Sequence, residues 1–298
     1  MGAVLVLTED VESVRVDHGL VVAVLRDGRE RRRPIADLDC LVIDAWELLI
    51  PLSLLRTAAR EGVAVLLTDR SRKPSALCLP LVGAAEHTAR VHAQAAIARP
   101  RRKRAWQQII RAKIEEQARV VEEDDPTLGA RLRAMKGAVH SGDPSNREAV
   151  AARLYWSSGV HDGFHRSARA GDTLNSAHDY GYAIIRSKVA QAVVSHGLHP
   201  ALGFHHHARS NPFCLADDLI EPIRPMLDVW LLRAPPELFK GSSELTSDDK
   251  RYLLGILVSV VRHGTEVGPL TTAIDIYAAS TAQYFLEDTD RLVIPSSL

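Results

Sequence analysis

Three consecutive histidines, His205, His206 and His207, are followed closely by Asp217, Asp218 and Glu221. Imidazole nitrogens and carboxylate oxygens are the donors that divalent cations such as Mg2+ and Mn2+ accept. A histidine wall facing an acidic one would therefore make a mixed nitrogen/oxygen metal site. Asp218 and Glu221 are three apart and would share a helix face, as would Asp217 and Glu221 at four. The plainer reading is a row of acids favoured by a helix N-terminus. Pro222 has no N–H for the carbonyl of Asp218, so a helix either begins near Glu221 or bends there. Neighbouring histidines point in different directions, so spacing does not choose among the three. Another carboxylate, Glu148, lies in SGDPSNREAVAARLYW, where Asp143, Pro144 and Ser145 start a helix. Ser145-x-x-Glu148 also reads as a capping box, which would turn that glutamate back to the cap N–H.

The elements that must position these groups fall into two kinds. At 298 residues the chain is long enough for two domains. Short apolar and β-branched runs at Ala3–Leu7, Ser13–Asp17, Gly19–Gly28 and Ile35–Asp44 predict strands. Leu49–Gly62 has helical spacing and Val63–Asp69 returns to strand, which makes a strand-helix-strand unit without a glycine-rich phosphate loop. From residue 86 onward the pattern is helical, with a passage at Val82–Glu86. Helices are expected at Glu86–Ala98, Arg101–Glu122, Pro126–Gly137, Asn146–Ser158, Asn175–His196, Asp218–Leu232, Thr246–His263 and Thr271–Glu287. The expected fold is thus α+β: a small, mainly β domain over residues 1–85, then a larger all-α catalytic domain over 86–298.

Thirty-seven basic and 37 acidic residues cancel, which argues against a protein that coats nucleic acid indiscriminately. Locally the balance differs. Arg99, Arg101, Arg102, Lys103, Arg104, Arg111 and Lys113 form a run without an acid. It reads either as a solvated helix face or as a ridge tracking phosphates. Trp106 within it would stack on a base or pack inward. Tyr180, Tyr182, Arg186 and Lys188 would offer contacts to a nucleic-acid strand, with structural packing the plainer reading of either tyrosine alone. Cys40, Cys78 and Cys214 are far apart and make no CxxC pair, which fits a reducing cytoplasm. The apolar run at the N-terminus is too short for a signal peptide or a membrane span.

NREAVAARLYW, DYGYAIIRSKVAQAVVSHGLHPALGFHH and ADDLIEPIRP, in that order, resemble the integrase of CRISPR adaptation, the near-universal spacer-acquisition nuclease. The wording is most similar to the branch accompanying single-protein RNA-guided effectors (type II). The resemblance implies that Glu148, His206 and Glu221 hold one Mg2+ or Mn2+ ion and carry catalysis. Asp218, His205 and His207 would be helpers beside them, and Arg101, Arg102, Lys103, Arg104 and Arg186 would bind DNA. It further implies transesterification, in which the 3′ hydroxyl of protospacer DNA attacks a phosphodiester at the edge of a CRISPR repeat. The implied assembly is a homodimer, two of which are bridged by a second, small adaptation protein, with the effector nuclease as a further partner. Two other readings are a stand-alone endonuclease for branched DNA and a non-catalytic DNA-binding subunit.

Overall fold

The computed structural model describes residues 3–70, 74–79, 86–158, 173–240 and 244–298. A strand-rich N-terminal region is followed by a mostly helical one. Apart from Glu86, the expected passage at Val82–Glu86 lies outside the described residues, as does the 85/86 boundary on its N-terminal side.

Strands β1 (Ala3–Thr8), β5 (Leu38–Asp44) and β6 (Ala64–Thr68) pair in parallel, and β7 (Pro74–Cys78) closes the sheet antiparallel to β6. Helix α1 (Leu52–Arg60) is the crossover between β5 and β6. Both faces of β5 are covered. Leu41 and Ile43 join one apolar cluster, Cys40 and Val42 another, which is why LDCLVID reads as a continuous apolar run. Strands β2 (Val11–Asp17), β3 (Leu20–Leu25) and β4 (Glu30–Pro34) make an antiparallel meander. β4, with the sequence ERRRP, gave no apolar signal because it is a charged, exposed edge strand held by backbone pairing with β3 and an ion pair from Glu30 to Arg15 on β2.

The helical region contains α2 (His87–Ala96), α3 (Arg99–Glu122), α4 (Pro126–Gly137), α5 (Arg147–Trp156) and α6 (Thr173–Ser195). After a long loop come α7 (Cys214–Ile220), α8 (Arg224–Leu232), α9 (Ser247–Leu254) and α10 (Leu270–Phe285). Two expectations are corrected. The helix expected over Asp218–Leu232 is two helices, broken at Glu221–Ile223 where Pro222 cannot donate to the carbonyl of Asp218. The helix expected over Thr246–His263 ends at Leu254. A 3-10 turn then leads into strand β8 (Val260–His263), paired with β9 (Glu266–Pro269). Its Val258, Val260 and Val261 suit a strand better than a helix.

One large core runs through the helical region, with α3 and α6 contributing much of it. Between the regions, Lys250 on α9 pairs with Asp44 at the end of β5, and Gln191 on α6 donates to the carbonyl of Gly62 at 2.8 Å. No helix among the described residues is long and apolar enough to cross a membrane.

Candidate active site

The buried face of α3 carries Ile109, Ile110, Ile114, Val120 and Val121, and among them stands Lys113. Its ammonium meets two carboxylates from distant parts of the chain. Nζ lies 2.6 Å from Oε1 of Glu148 and 2.5 Å from Oε2 of Glu221. Glu148 is freed for this contact by Asp143. The side chain of Asp143 accepts the N–H groups of Arg147 and Glu148, both at 2.9 Å, and so caps α5. Ser145 and Glu148 therefore make no capping box; Asn146, at φ +50°, stands at the cap position. Glu221 closes α7 just before Pro222. Its other oxygen accepts Nε of Arg224 at 2.9 Å. Burial works against the charge of Glu221, but Lys113 and Arg224 outweigh it and hold the carboxyl below the usual range. Burial likewise opposes the charge of Lys113. The two glutamates outweigh it and keep the amine protonated above its ordinary value.

The histidine turn is organised by Asp218, whose side chain is fully buried. Oδ2 accepts the N–H groups of Phe204 at 2.5 Å and His205 at 3.0 Å. Oδ1 accepts the N–H of His206 at 3.1 Å and its ring Nδ1 at 2.7 Å. A side chain at Gly203 would set its Cβ 2.6 Å from Oδ2 of Asp218, so the turn needs glycine there. The His205 ring stacks on Trp106 with centroids 4.1 Å apart, and the His206 ring meets the same indole edge-on at 5.9 Å. Trp106 therefore packs inward, as a seat for two imidazoles. The hydrogen bond to Asp218 raises His206 above the ordinary imidazole value, while burial lowers His205. His207 is exposed and its Nδ1 bonds the carbonyl of His205 at 2.6 Å.

A cavity of about 220 Å³ opens beside the glutamates, walled by Tyr155, Trp156, Tyr182 and Gln117 as well as Lys113 and Arg224. Asp228, also on its wall, accepts the hydroxyls of Tyr155 at 2.9 Å and Tyr182 at 2.7 Å. The three downstream acids thus have separate partners. Asp217 pairs with Arg186 at 2.6 Å and with Asn211, Asp218 holds the histidine turn, and Glu221 faces Glu148.

Two of the residues expected to contact DNA are engaged within the fold. Arg101 is buried, its guanidinium bonded to the carbonyls of Tyr284 and Thr289 and to the carboxylate of Asp290. Arg186 is bound to Asp217 and Asn211 and lies over the ring of Phe213 at 4.7 Å. Both cations already have their counterions or acceptors within the fold. Arg102, Lys103 and Arg104 are exposed. Lys113, counted in the sequence with the basic run, belongs instead to the site. The signal was there, since a lysine stands where the period of α3 calls for an apolar residue.

Glu148 and Glu221 are brought together, whereas His206 is directed to Asp218. Among the described residues no group of three His, Cys, Asp or Glu side chains converges closely enough to hold a metal ion. The donor chemistry still fits a divalent cation. Two carboxylate oxygens already share one cationic group, and an imidazole bonded to a carboxylate through Nδ1 keeps its Nε2 lone pair for a metal.

The family described as CRISPR associated protein Cas1 matches residues 5–237. The CRISPR-associated endonuclease Cas1 of Neisseria meningitidis serogroup C (strain 8013) is 35% identical over 235 residues, 78% of this chain and 76% of that protein. A casposase bound to its integration product superposes with a TM-score of 0.78 at 19% identity, over 97% of this chain and 92% of the other. A chain of a Cas6-RT-Cas1–Cas2 complex superposes with a TM-score of 0.73 at 15% identity, over 98% of this chain and 36% of that one.

Proposed function

The chain belongs to the Cas1 family of CRISPR-associated proteins, and on that premise we propose that it joins the 3′ ends of protospacer DNA into a CRISPR repeat array. The observation that supports this reading is the convergence of Glu148 and Glu221, 2.6 and 2.5 Å from one buried cationic group. Glu148, Glu221 and Nε2 of His206 would hold a Mg2+ or Mn2+ ion. Such an ion supplies charge stabilisation at the phosphate and activates the attacking oxygen. Asp218 fixes the tautomer and direction of His206. Trp106 keeps the ring from rotating away. Arg224 holds Glu221 ionised and aimed at Glu148. In the reaction, the 3′ oxygen of the incoming strand forms a P–O bond while the bond to the outgoing 3′ oxygen breaks. Arg102, Lys103 and Arg104 would meet the DNA backbone, where their charges contribute affinity without reading sequence.

The likeness to a chain of a Cas6-RT-Cas1–Cas2 complex supports a small adaptation protein as partner; in the proposed assembly it would bridge two homodimers of this chain. The second reading, a nuclease that uses water in place of the 3′ hydroxyl, is favoured by the endonuclease name of the Neisseria relative. One experiment separates them. The protein is incubated with Mn2+, a duplex bearing 3′ hydroxyls and a repeat-containing plasmid, with a 3′-dideoxy duplex as control. Joined products that require the hydroxyl support integration; nicking that ignores it supports the nuclease. Glu148→Gln and Glu221→Gln should abolish joining while DNA affinity measured in EDTA stays within about twofold, because the charge lost acts on the ion at the phosphate and not on the grip of the duplex. Full joining by either variant would defeat the metal assignment.

A further inference from the structure

Lys113 and a divalent ion make the same claim on the same atoms. The ammonium already sits 2.6 Å from Oε1 of Glu148 and 2.5 Å from Oε2 of Glu221. A metal bound to those oxygens at about 2.0–2.2 Å would overlap it. With Arg224 on the remaining oxygen of Glu221, the cluster is balanced: two carboxylates, Glu148 and Glu221, against two cations, Lys113 and Arg224. We infer that Lys113 is the resident cation of the carboxylate pair, that a divalent ion enters by displacing it, and that the released ammonium then serves as a contact for the DNA phosphate. This rests on the metal reading of Glu148 and Glu221 given above.

The energetic reasoning is direct. The Lys113 side chain is only 10% exposed, so an ammonium driven off its two partners stays buried without a counterion. A place exists for it to go. The adjacent cavity is lined by Lys113 and by Gln117, one helical turn further along α3. The Oε1 atom of Gln117 is buried and accepts no hydrogen bond among the described residues. It can take one of the three ammonium N–H groups, but it brings no charge. A phosphodiester at the mouth of the site does. Metal without DNA must therefore leave a buried cation unpaired, and DNA without metal finds Lys113 held by the glutamates. Each ligand relieves a cost imposed by the other, so the two bind cooperatively and reciprocally. An empty carboxylate pair would also repel itself open. Lys113 keeps Glu148 and Glu221 together until an ion takes over.

The test is a Mn2+ titration of the full chain, following free Mn2+ by its paramagnetic resonance signal. It is done with and without a duplex whose 3′ ends lack hydroxyls. Glu148→Gln with the same duplex gives the background of ions held by DNA alone. For the unsubstituted protein, DNA should tighten Mn2+ binding by about fivefold or more, an ordinary coupling. Lys113→Met should bind Mn2+ at least about fivefold more tightly without DNA and lose the DNA-dependent gain. A Lys113→Met protein that binds Mn2+ no better, or keeps the full DNA gain, overturns the inference. Thermal melts cover the case of a weakened fold. Lys113→Met should melt lower in EDTA and recover in Mn2+, as an ion replaces the ammonium; a deficit that Mn2+ leaves intact counts against it. If Glu148→Gln binds Mn2+ as well as the unsubstituted chain, the metal reading itself fails, whatever Lys113 does.

Discussion

Asp218→Asn tests whether the histidine turn is held by one carboxylate. Asp218 accepts four hydrogen bonds, from the backbone N–H groups of Phe204, His205 and His206 and from the ring of His206. Asparagine keeps a single acceptor oxygen. If that oxygen retains the Phe204 and His205 bonds, its NH2 group is left facing the two donors of His206. Hydrogen bonds to a charged acceptor contribute about 1.5–3 kcal/mol each, so losing two costs roughly 3–6 kcal/mol. At about 2 °C per kcal/mol for a chain of this size, the melting temperature should fall by roughly 6–12 °C. The assay is a thermal melt in EDTA across a pH series. Asp218 raises the His206 ring above its ordinary value. A raised folded-state value means that the bond stabilises fully below about 6.5, the unfolded imidazole value, and that this stability is lost as pH climbs through the higher folded one. The unsubstituted protein should therefore lose stability over that window and Asp218→Asn should not. A variant melting within about 2 °C of the unsubstituted protein, with the same pH dependence, would refute the reasoning.

Replacing Arg102, Lys103 and Arg104 with alanine should flatten the salt dependence of DNA affinity by up to about three in slope, near 0.9 for each phosphate charge left unneutralised. Filter binding over a salt series reads this directly, and an unchanged slope returns the three to a solvated face. Arg101→Ala should leave the slope alone and cost about 3 kcal/mol in denaturant melts, because it strands the carbonyls of Tyr284 and Thr289 that its guanidinium now serves. His206→Ala should end strand joining while His207→Ala preserves it; the opposite pattern would move the metal assignment by one residue. Gly203→Ala, whose methyl would lie 2.6 Å from Oδ2 of Asp218, should lower both melting temperature and joining, and normal values for both would show that the turn can shift.

What the sequence reveals depends on whether a residue's role follows a short period. The buried strand β5 and the long helices were legible because two-residue and 3.6-residue patterns report directly on which faces are covered. β4 and β7 were missed, and β4 shows why. Its side chains are mostly exposed, and what chiefly holds it is the backbone pairing with β3, which any composition can supply. The break between α7 and α8 was legible in Pro222. Glu148, His206 and Glu221 stand out in motif-like wording, but Lys113 and Arg101 were hidden by their neighbours. Counting charge along the chain groups both with Arg102 to Arg104. Counting by helical turns places Lys113 with Ile109, Ile110 and Ile114, and Arg101 with Ala105, on the buried face. Reading periodicity before charge separates a basic ridge from the two cations turned inward.

The same separation explains why only one of three neighbouring acids faces Glu148. Asp218 is satisfied largely by backbone N–H groups, donors fixed in place by the chain on either side of them. Nothing that diffuses in can substitute for those donors without unmaking the turn. Asp217 is bound to Arg186 and Asn211, whose planar groups are held against Phe213 and the loop. Glu221 differs in kind. One oxygen is anchored by Arg224, and the other meets the end of a lysine, a point charge on a four-carbon stem with room in the adjoining cavity. Its partner is exchangeable, and so is that of Glu148. A cation-binding carboxylate must be buried enough to be strong yet paired loosely enough to accept a new partner. Of the acids in this stretch, only Glu221 meets both conditions, which is a reason independent of motif wording to place the ion there rather than at Asp217 or Asp218.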